Sequence, residues 1–189
     1  MNAIGVHVTF EPYANEIGAQ YGENPELIAS IIAAEIKGLT EGGLTSCTKH
    51  WIGRGGDSSF GGARSVAQNF DNWLVGWKAA LDNGAEWVMT NCGGTGITNT
   101  VDVKWDSVTM GYLRDTLGFD GVVVTDWGVK KSASPEFPKI RDNAYRVRAQ
   151  VDVLMPGNMG HMHKTYHSDG TLLKTVGRPD GMTRGELQR

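Results

Sequence analysis

The chain has 189 residues, 40% hydrophobic and 21% charged, with 26 glycines and six tryptophans, enough for one sizeable core. Its formal charge of −3 and the lack of a long Lys/Arg run offer no track for a phosphate backbone, so nucleic acid is not an expected partner. No segment reaches the roughly 18 continuous apolar residues of a membrane helix, so no membrane partner is expected. Met1 to Gly5 has no basic stretch leading into an apolar one, which means either a cytoplasmic protein or a natural beginning further upstream; the localisation stays unknown. Cys47 and Cys92 lack metal-ligand spacing and read as free thiols.

Along the chain, Ile4 to Phe10 is rich in β-branched residues and ends at Glu11-Pro12, a first strand and its exit. Asn24-Pro25 opens a helix. Pro25 suits the first helical position, Glu26 the positive N-terminal end, and Leu27, Ile28, Ile31, Ile32, Ala34 and Ile36 form a wide apolar face before Gly42-Gly43 ends it. Leu44 to Trp51 is a second strand closing on Lys49-His50-Trp51, and Gly53, Gly55, Gly56, Gly61 and Gly62 mark a long loop of the functional or mobile kind. A helix from about Asp71 to Leu81 carries Trp73 and Trp77 one turn apart, a spacing that suits packing on a sheet better than a binding platform. Asn83-Gly84 leads into a strand from Glu86 to Thr90 that exits at Asn91.

Asp106 to Leu117 is the next helix, stopped by Gly118. It delivers the chain to Val122–Thr125, a short apolar, β-branched run that stops at Asp126-Trp127-Gly128. After a proline-containing loop over Ser132–Pro138, a helix is expected at Ile140–Ala149 and a last strand at Val151–Met155, ending at Pro156-Gly157-Asn158. The tail from Leu172 to Arg189 is weakly helical, with Glu186–Arg189 a helix interrupted after it starts.

Alternating strands and helices mean α/β class with a parallel sheet. The strands end in polar residues, Glu11, Lys49-His50, Asn91, Asp126 and Asn158, and polar groups converging from several strand ends mean a site at one face. Asp126 at the mouth of a buried strand is its natural centre, since a charge there can meet ligand or a partner cation; the plainer alternative is a helix N-cap. About five strands are visible, whereas a closed (β/α)8 barrel needs eight and about 250 residues, so the sheet is either small and open or part of a barrel.

The strings Tyr21–Leu27, Thr48–Gly53, Ala85–Met89, Leu113–Gly128 and Val151–Gly157 resemble, in order and close to its spacing, the first domain of glycoside hydrolase family 3. The likeness runs from about Phe10 to Gly157, and its most specific parts are Leu113–Gly128 and the Lys49-His50 strand end. It implies an incomplete TIM (β/α)8 barrel with about five βα units, and a retaining hydrolase of β-glucosides or related β-glycosides that needs no cofactor and no metal. Asp126 matches the nucleophile. Lys49 and His50 match residues that hydrogen-bond sugar hydroxyls beside the cleaved bond, and a nearby Lys49 would favour an ionised Asp126. Trp127 either stacks on a sugar face or plugs the barrel mouth.

The chain also departs from that pattern. Where the family carries an arginine-bearing stretch, this sequence reads Glu11-Pro12-Tyr13-Ala14-Asn15-Glu16. Arg54, in the loop after His50, is the candidate replacement. Asp57-Ser58-Ser59 lacks the histidine of the N-acetylglucosaminidase branch, which favours the glucosidase-like branch. In that branch the acid/base glutamate belongs to a second domain, so the resemblance implies that residues 1–189 are a partial catalytic barrel domain. Early strands and a second α/β domain are expected to be absent, and the chain to be inactive or nearly so alone. The alternatives are a non-catalytic sugar-binding module, a lyase forming a Schiff base on Lys49, and a metal site at His161, His163 and His167.

Overall fold

The computed structural model describes residues 2–14, 21–22, 24–52, 66–90, 107–126, 150–153, 155 and 183–187. Four strands, β1 (Val8–Thr9), β2 (Thr45–Trp51), β3 (Trp87–Thr90) and β4 (Val122–Val124), form one sheet in the order β1-β2-β3-β4. All three pairs are parallel. A strand order that follows chain order, with a helix at each crossover, is the winding of a (β/α)8 barrel; a doubly wound sheet reverses direction partway. A fifth position adds itself to the far edge: Val153 bridges Val124 in parallel, its N–H donates to the Val123 carbonyl at 3.0 Å, and the Thr125 N–H donates to the Val153 carbonyl at 2.9 Å. The molecule is an incomplete (β/α)8 barrel.

Helix α1 (Pro25–Glu41) begins where Asn24 and Pro25 place it. The Asn24 side-chain oxygen accepts from the N–H groups of Glu26 (3.0 Å) and Leu27 (3.2 Å), two donors that have no partner inside the helix. The buried stripe is narrower than the apolar face suggests. Ile28, Ile32 and Ile36, four residues apart, are buried, while Leu27 and Ala34 are exposed, because only one ridge of α1 meets its neighbour. That neighbour is α2 (Val66–Asp82), which packs along α1. Gly76 permits the approach: a Cβ there would lie 2.3 Å from the Ala14 carbonyl oxygen and 3.2 Å from the Ile32 side chain. Trp73 and Trp77 are core residues, and Trp77 meets Trp51 edge to face at 5.0 Å.

The strands separate two packing layers by their two-residue period. Val88, Val123 and Trp51 join Ile32, Ile36, Trp77 and Leu113 between sheet and helices. Cys47, Met89 and Val124 face the other way and pack with Val8, Phe10, Trp87, Val153 and Met155 toward the barrel interior.

Four expected elements differ in extent, and the first of these is α2, which begins at Val66 and not at about Asp71. The first strand pairs only over Val8–Thr9, because β2 begins at Thr45 and offers nothing to residues before His7; Asn2–Ile4 is a 3-10 turn, and Gly5 follows it at φ +79°. The helix before β4 is α-helical over Ser107–Gly111 (α3) and π-helical over Tyr112–Thr116, where the Leu117 N–H reaches back to the Tyr112 carbonyl. Among the described residues of the last strand, the bridge to β4 is made by Val153. A four-residue helix, α4 (Arg184–Leu187), lies in the weakly helical tail. The glycine-rich loop, the exits at Asn91 and Asn158, the 132–138 loop and the 140–149 helix lie outside the described residues.

Candidate active site

Lys49 and His50 are consecutive, and on a regular strand they would point to opposite faces. The register of β2 against β3 shows why they do not. Thr48 pairs with Val88 and Lys49 with Met89, but the next partner of Thr90 is Trp51, so His50 is an extra, bulged residue. The bulge has two consequences. It returns Trp51 to the helix-facing layer, where its Nε1–H donates to the Thr109 carbonyl at 3.0 Å. It also turns His50 to the inner side, next to Lys49.

There His50 Nε2 lies 3.7 Å from Asp126 Oδ2, both side chains being less than one-fifth exposed. Asp126 is reached by alternation along its strand, since Val124 faces the interior and Thr125 is buried on the helix side. A separation of 3.7 Å exceeds a hydrogen bond, so this contact is electrostatic and loose. Lys49 is held more closely. Its ammonium donates to the Phe10 carbonyl, lies 3.7 Å from Glu11 Oε1, and sits 4.2 Å from the centroid of the Tyr13 ring. Tyr13 also meets the His50 imidazole at 5.5 Å and 64°. The ends of β1, β2 and β4 thus bring Glu11, Tyr13, Lys49, His50 and Asp126 to one mouth of the barrel.

Of the residues the sequence singles out, Asp126, Lys49 and His50 converge. Trp127, Arg54, His161, His163 and His167 lie outside the described residues. Among the described residues no group of three His, Cys, Asp or Glu side chains is placed to hold a metal ion. Cys47, below Lys49 on the inner face, is a fully buried thiol whose pKa burial pushes up to about 12, with the Lys49 charge acting the other way. Such a thiol is inert as a nucleophile near neutral pH. The sequence shows Tyr13 only as part of a stretch lacking an arginine, and its place beside a strand-end Glu-Pro is the one sign of it there.

Arg114 was missed as well, although it lies inside the most specific string. Its guanidinium donates to the carbonyls of Phe119 (3.0 Å), Gly121 (2.6 Å) and Gln150 (3.2 Å) and to Asp152 Oδ2 (2.8 Å). The same Asp152 oxygen accepts from the Val123 N–H at 2.7 Å. Arg114 therefore binds the π turn, β4 and the fifth strand position together at their N-terminal ends, and so fixes the strand that carries Asp126. No spacing rule signals a side chain that works through three backbone carbonyls and one distant carboxylate.

Comparison with known proteins sets this geometry in context. The Glycosyl hydrolase family 3 N terminal domain matches residues 1–173. Beta-glucosidase C of Emericella nidulans is 31% identical over 146 residues, covering 66% of this chain and 23% of that protein. A beta-glucosidase of Ruminococcus albus is 30% identical over 190 residues, covering 98% of this chain and 19% of its own length. The chain thus spans about a fifth of the length of these curated relatives. The crystal structure of CbsA from Thermotoga neapolitana superposes with a TM-score of 0.75 at 21% identity, over 97% of this chain and 44% of that one, a likeness of fold.

Proposed function

This chain belongs to glycosyl hydrolase family 3, and from that premise we propose that Asp126 is the nucleophile of a retaining hydrolysis of β-glucosides or related β-glycosides. The observation that carries the reading is the meeting of Asp126 with the bulged His50 at the C-terminal mouth of a parallel barrel, the face where such folds place chemistry. In the reaction, an Asp126 carboxylate oxygen attacks the anomeric carbon, the bond from that carbon to the leaving oxygen breaks, and a glycosyl ester forms; water then cleaves the ester. His50 is within reach to donate a hydrogen bond to a sugar hydroxyl and to orient the carboxylate. Lys49, held by Phe10, Glu11 and Tyr13, is the second candidate donor to a sugar hydroxyl at this mouth. Trp127 and Arg54 complete the substrate-binding set.

Retention requires a second carboxyl group about 5 Å from the first, to protonate the leaving oxygen. We assign that role to a glutamate from a further domain. The chain is accordingly a partial catalytic domain that hydrolyses unactivated glycosides hardly at all, since general acid catalysis typically contributes about 10²–10⁴ in rate. A Schiff-base role for Lys49 is the weaker reading, because such a lysine must present a neutral amine to a carbonyl, and this ammonium is engaged by a carbonyl, a carboxylate and a ring.

The test uses leaving groups of different need. The purified chain is expected to release dinitrophenolate slowly from 2,4-dinitrophenyl β-D-glucoside, which needs no protonation, and to leave methyl β-D-glucoside intact. Asp126→Asn should lower the first rate by at least about 10³. Undiminished release by Asp126→Asn would refute the nucleophile, and turnover of the methyl glucoside would place an acid within these 189 residues.

A further inference from the structure

Tyr13 stands at the same mouth as Asp126 with no role yet assigned to it. Its backbone continues the sheet beyond β1: Tyr13 bridges Lys49 in parallel, the Ala14 N–H donates to the Lys49 carbonyl at 2.8 Å, and the Lys49 N–H donates to the Pro12 carbonyl at 2.9 Å. That register fixes its side chain beside Lys49 on the inner face, where one face of the ring lies 4.2 Å from the ammonium. Its edge contact with His50, 5.5 Å between centroids, brings it within one side chain of Asp126. The ring is half-buried, with Lys49 over one face and His50 in edge contact. A sugar ring seated over the His50–Asp126 pair would lie next to this ring.

The charges at this edge set what Tyr13 selects. The Lys49 ammonium has a carbonyl, a carboxylate and the ring itself as partners, and its charge is matched by Glu11. A ligand approaching from the Tyr13 side therefore meets an aromatic surface and a hydroxyl. An aromatic face favours the C–H face of a neutral pyranose, and it gives no Coulomb attraction to a sugar carboxylate that Asp126 and Glu11 would repel.

We propose that Tyr13 is a specificity-determining residue of the sugar subsite: its ring packs on the pyranose held beside Asp126 and selects uncharged pyranosides over uronates. This rests on the reading of Asp126 as the sugar-binding carboxylate. The test measures dissociation constants of glucose and glucuronate for the 189-residue chain and for Tyr13→Ala, Tyr13→Arg and Asp126→Ala. Glucose is expected to bind at least ten-fold more tightly than glucuronate. Tyr13→Ala should weaken glucose at least five-fold, Tyr13→Arg should raise the glucuronate-to-glucose affinity ratio at least ten-fold, and Asp126→Ala should abolish glucose binding. If Asp126→Ala abolishes binding while both Tyr13 variants match the parent, Tyr13 has no such role and the reading of Asp126 stands. If Asp126→Ala binds glucose normally, or the parent chain binds none, both fall. Should Tyr13→Ala fail to fold, the ring-proton resonances of Tyr13 decide: they shift on titration with glucose, and unchanged resonances overturn the proposal.

Discussion

The two ends of the parallel sheet both carry a cation facing a carboxylate, built to opposite standards. At the N-terminal end Arg114 meets Asp152 at 2.8 Å and three carbonyls within 3.2 Å, and the carboxylate is fixed in turn by the Val123 N–H. At the C-terminal end Lys49 stands 3.7 Å from Glu11, and His50 stands 3.7 Å from Asp126. The first arrangement has the short, forked geometry that makes arginine pairs strong and rigid. In the second both ion pairs are longer than a hydrogen bond, while the Lys49 ammonium also donates to the Phe10 carbonyl and packs on the Tyr13 ring. One end of the barrel ties the strands together through short, forked contacts, and the other gathers its charged groups at longer ion-pair distances.

Substitutions should separate the two ends. Arg114→Ala removes the guanidinium from Asp152 and from the carbonyls of Phe119, Gly121 and Gln150, and is expected to cost about 3 kcal/mol in urea unfolding, discounted from a fully buried pair because Asp152 is half exposed. Arg114→Lys should restore less than half of that, since an ammonium cannot reproduce the fork. Equal losses for Arg114→Ala and Lys49→Met would erase the contrast. Gly76→Ala, whose Cβ would press 2.3 Å from the Ala14 oxygen, should cost about 2 kcal/mol and disturb the Pro12–Ala14 segment at the mouth while leaving the Arg114 end intact. Backbone amide shifts confined to the mouth and to α2 would show this.

The smallest effect comes from the interior beneath the mouth. Burial raises the Cys47 thiol from 9.0 to about 12, so the neutral form is favoured in the folded chain, and the stability this represents is complete below pH 9 and lost as pH rises toward 12. At pH 10, one pH unit beyond the unfolded thiol, the loss is on the order of 1 kcal/mol. Cys47→Ala should flatten the fall in urea stability between pH 9 and 10; an unchanged slope would assign it to other groups.

Much of this architecture is legible in the residues. Asn24-Pro25 fixes the start of α1, and the Val122–Val124 run marks β4, because both depend on local chemistry: a cap that satisfies two donors, and an apolar β-branched segment buried on both faces. Asp126, Lys49 and His50 are legible as strand-end polar residues. What escapes the sequence depends on pairing between distant segments. The bulge at His50 exists only in the register with β3, the shortness of β1 follows from where β2 begins, and the exposure of Leu27 follows from which ridge of α1 meets α2. Arg114 and Tyr13 escape for the same reason, since each gains its meaning from backbone that other strands bring to it.

The central claim, that Asp126 forms the covalent glycosyl-enzyme, is tested most directly with 2,4-dinitrophenyl 2-deoxy-2-fluoro-β-D-glucoside. Its leaving group departs without an acid, and its fluorine slows hydrolysis of the ester that forms. Peptide mass spectrometry of the treated chain should find one fluoroglucosyl group on the Asp126 carboxylate, and none in Asp126→Asn. A label on another carboxylate, or an unlabelled chain that still releases dinitrophenolate, would contradict the account.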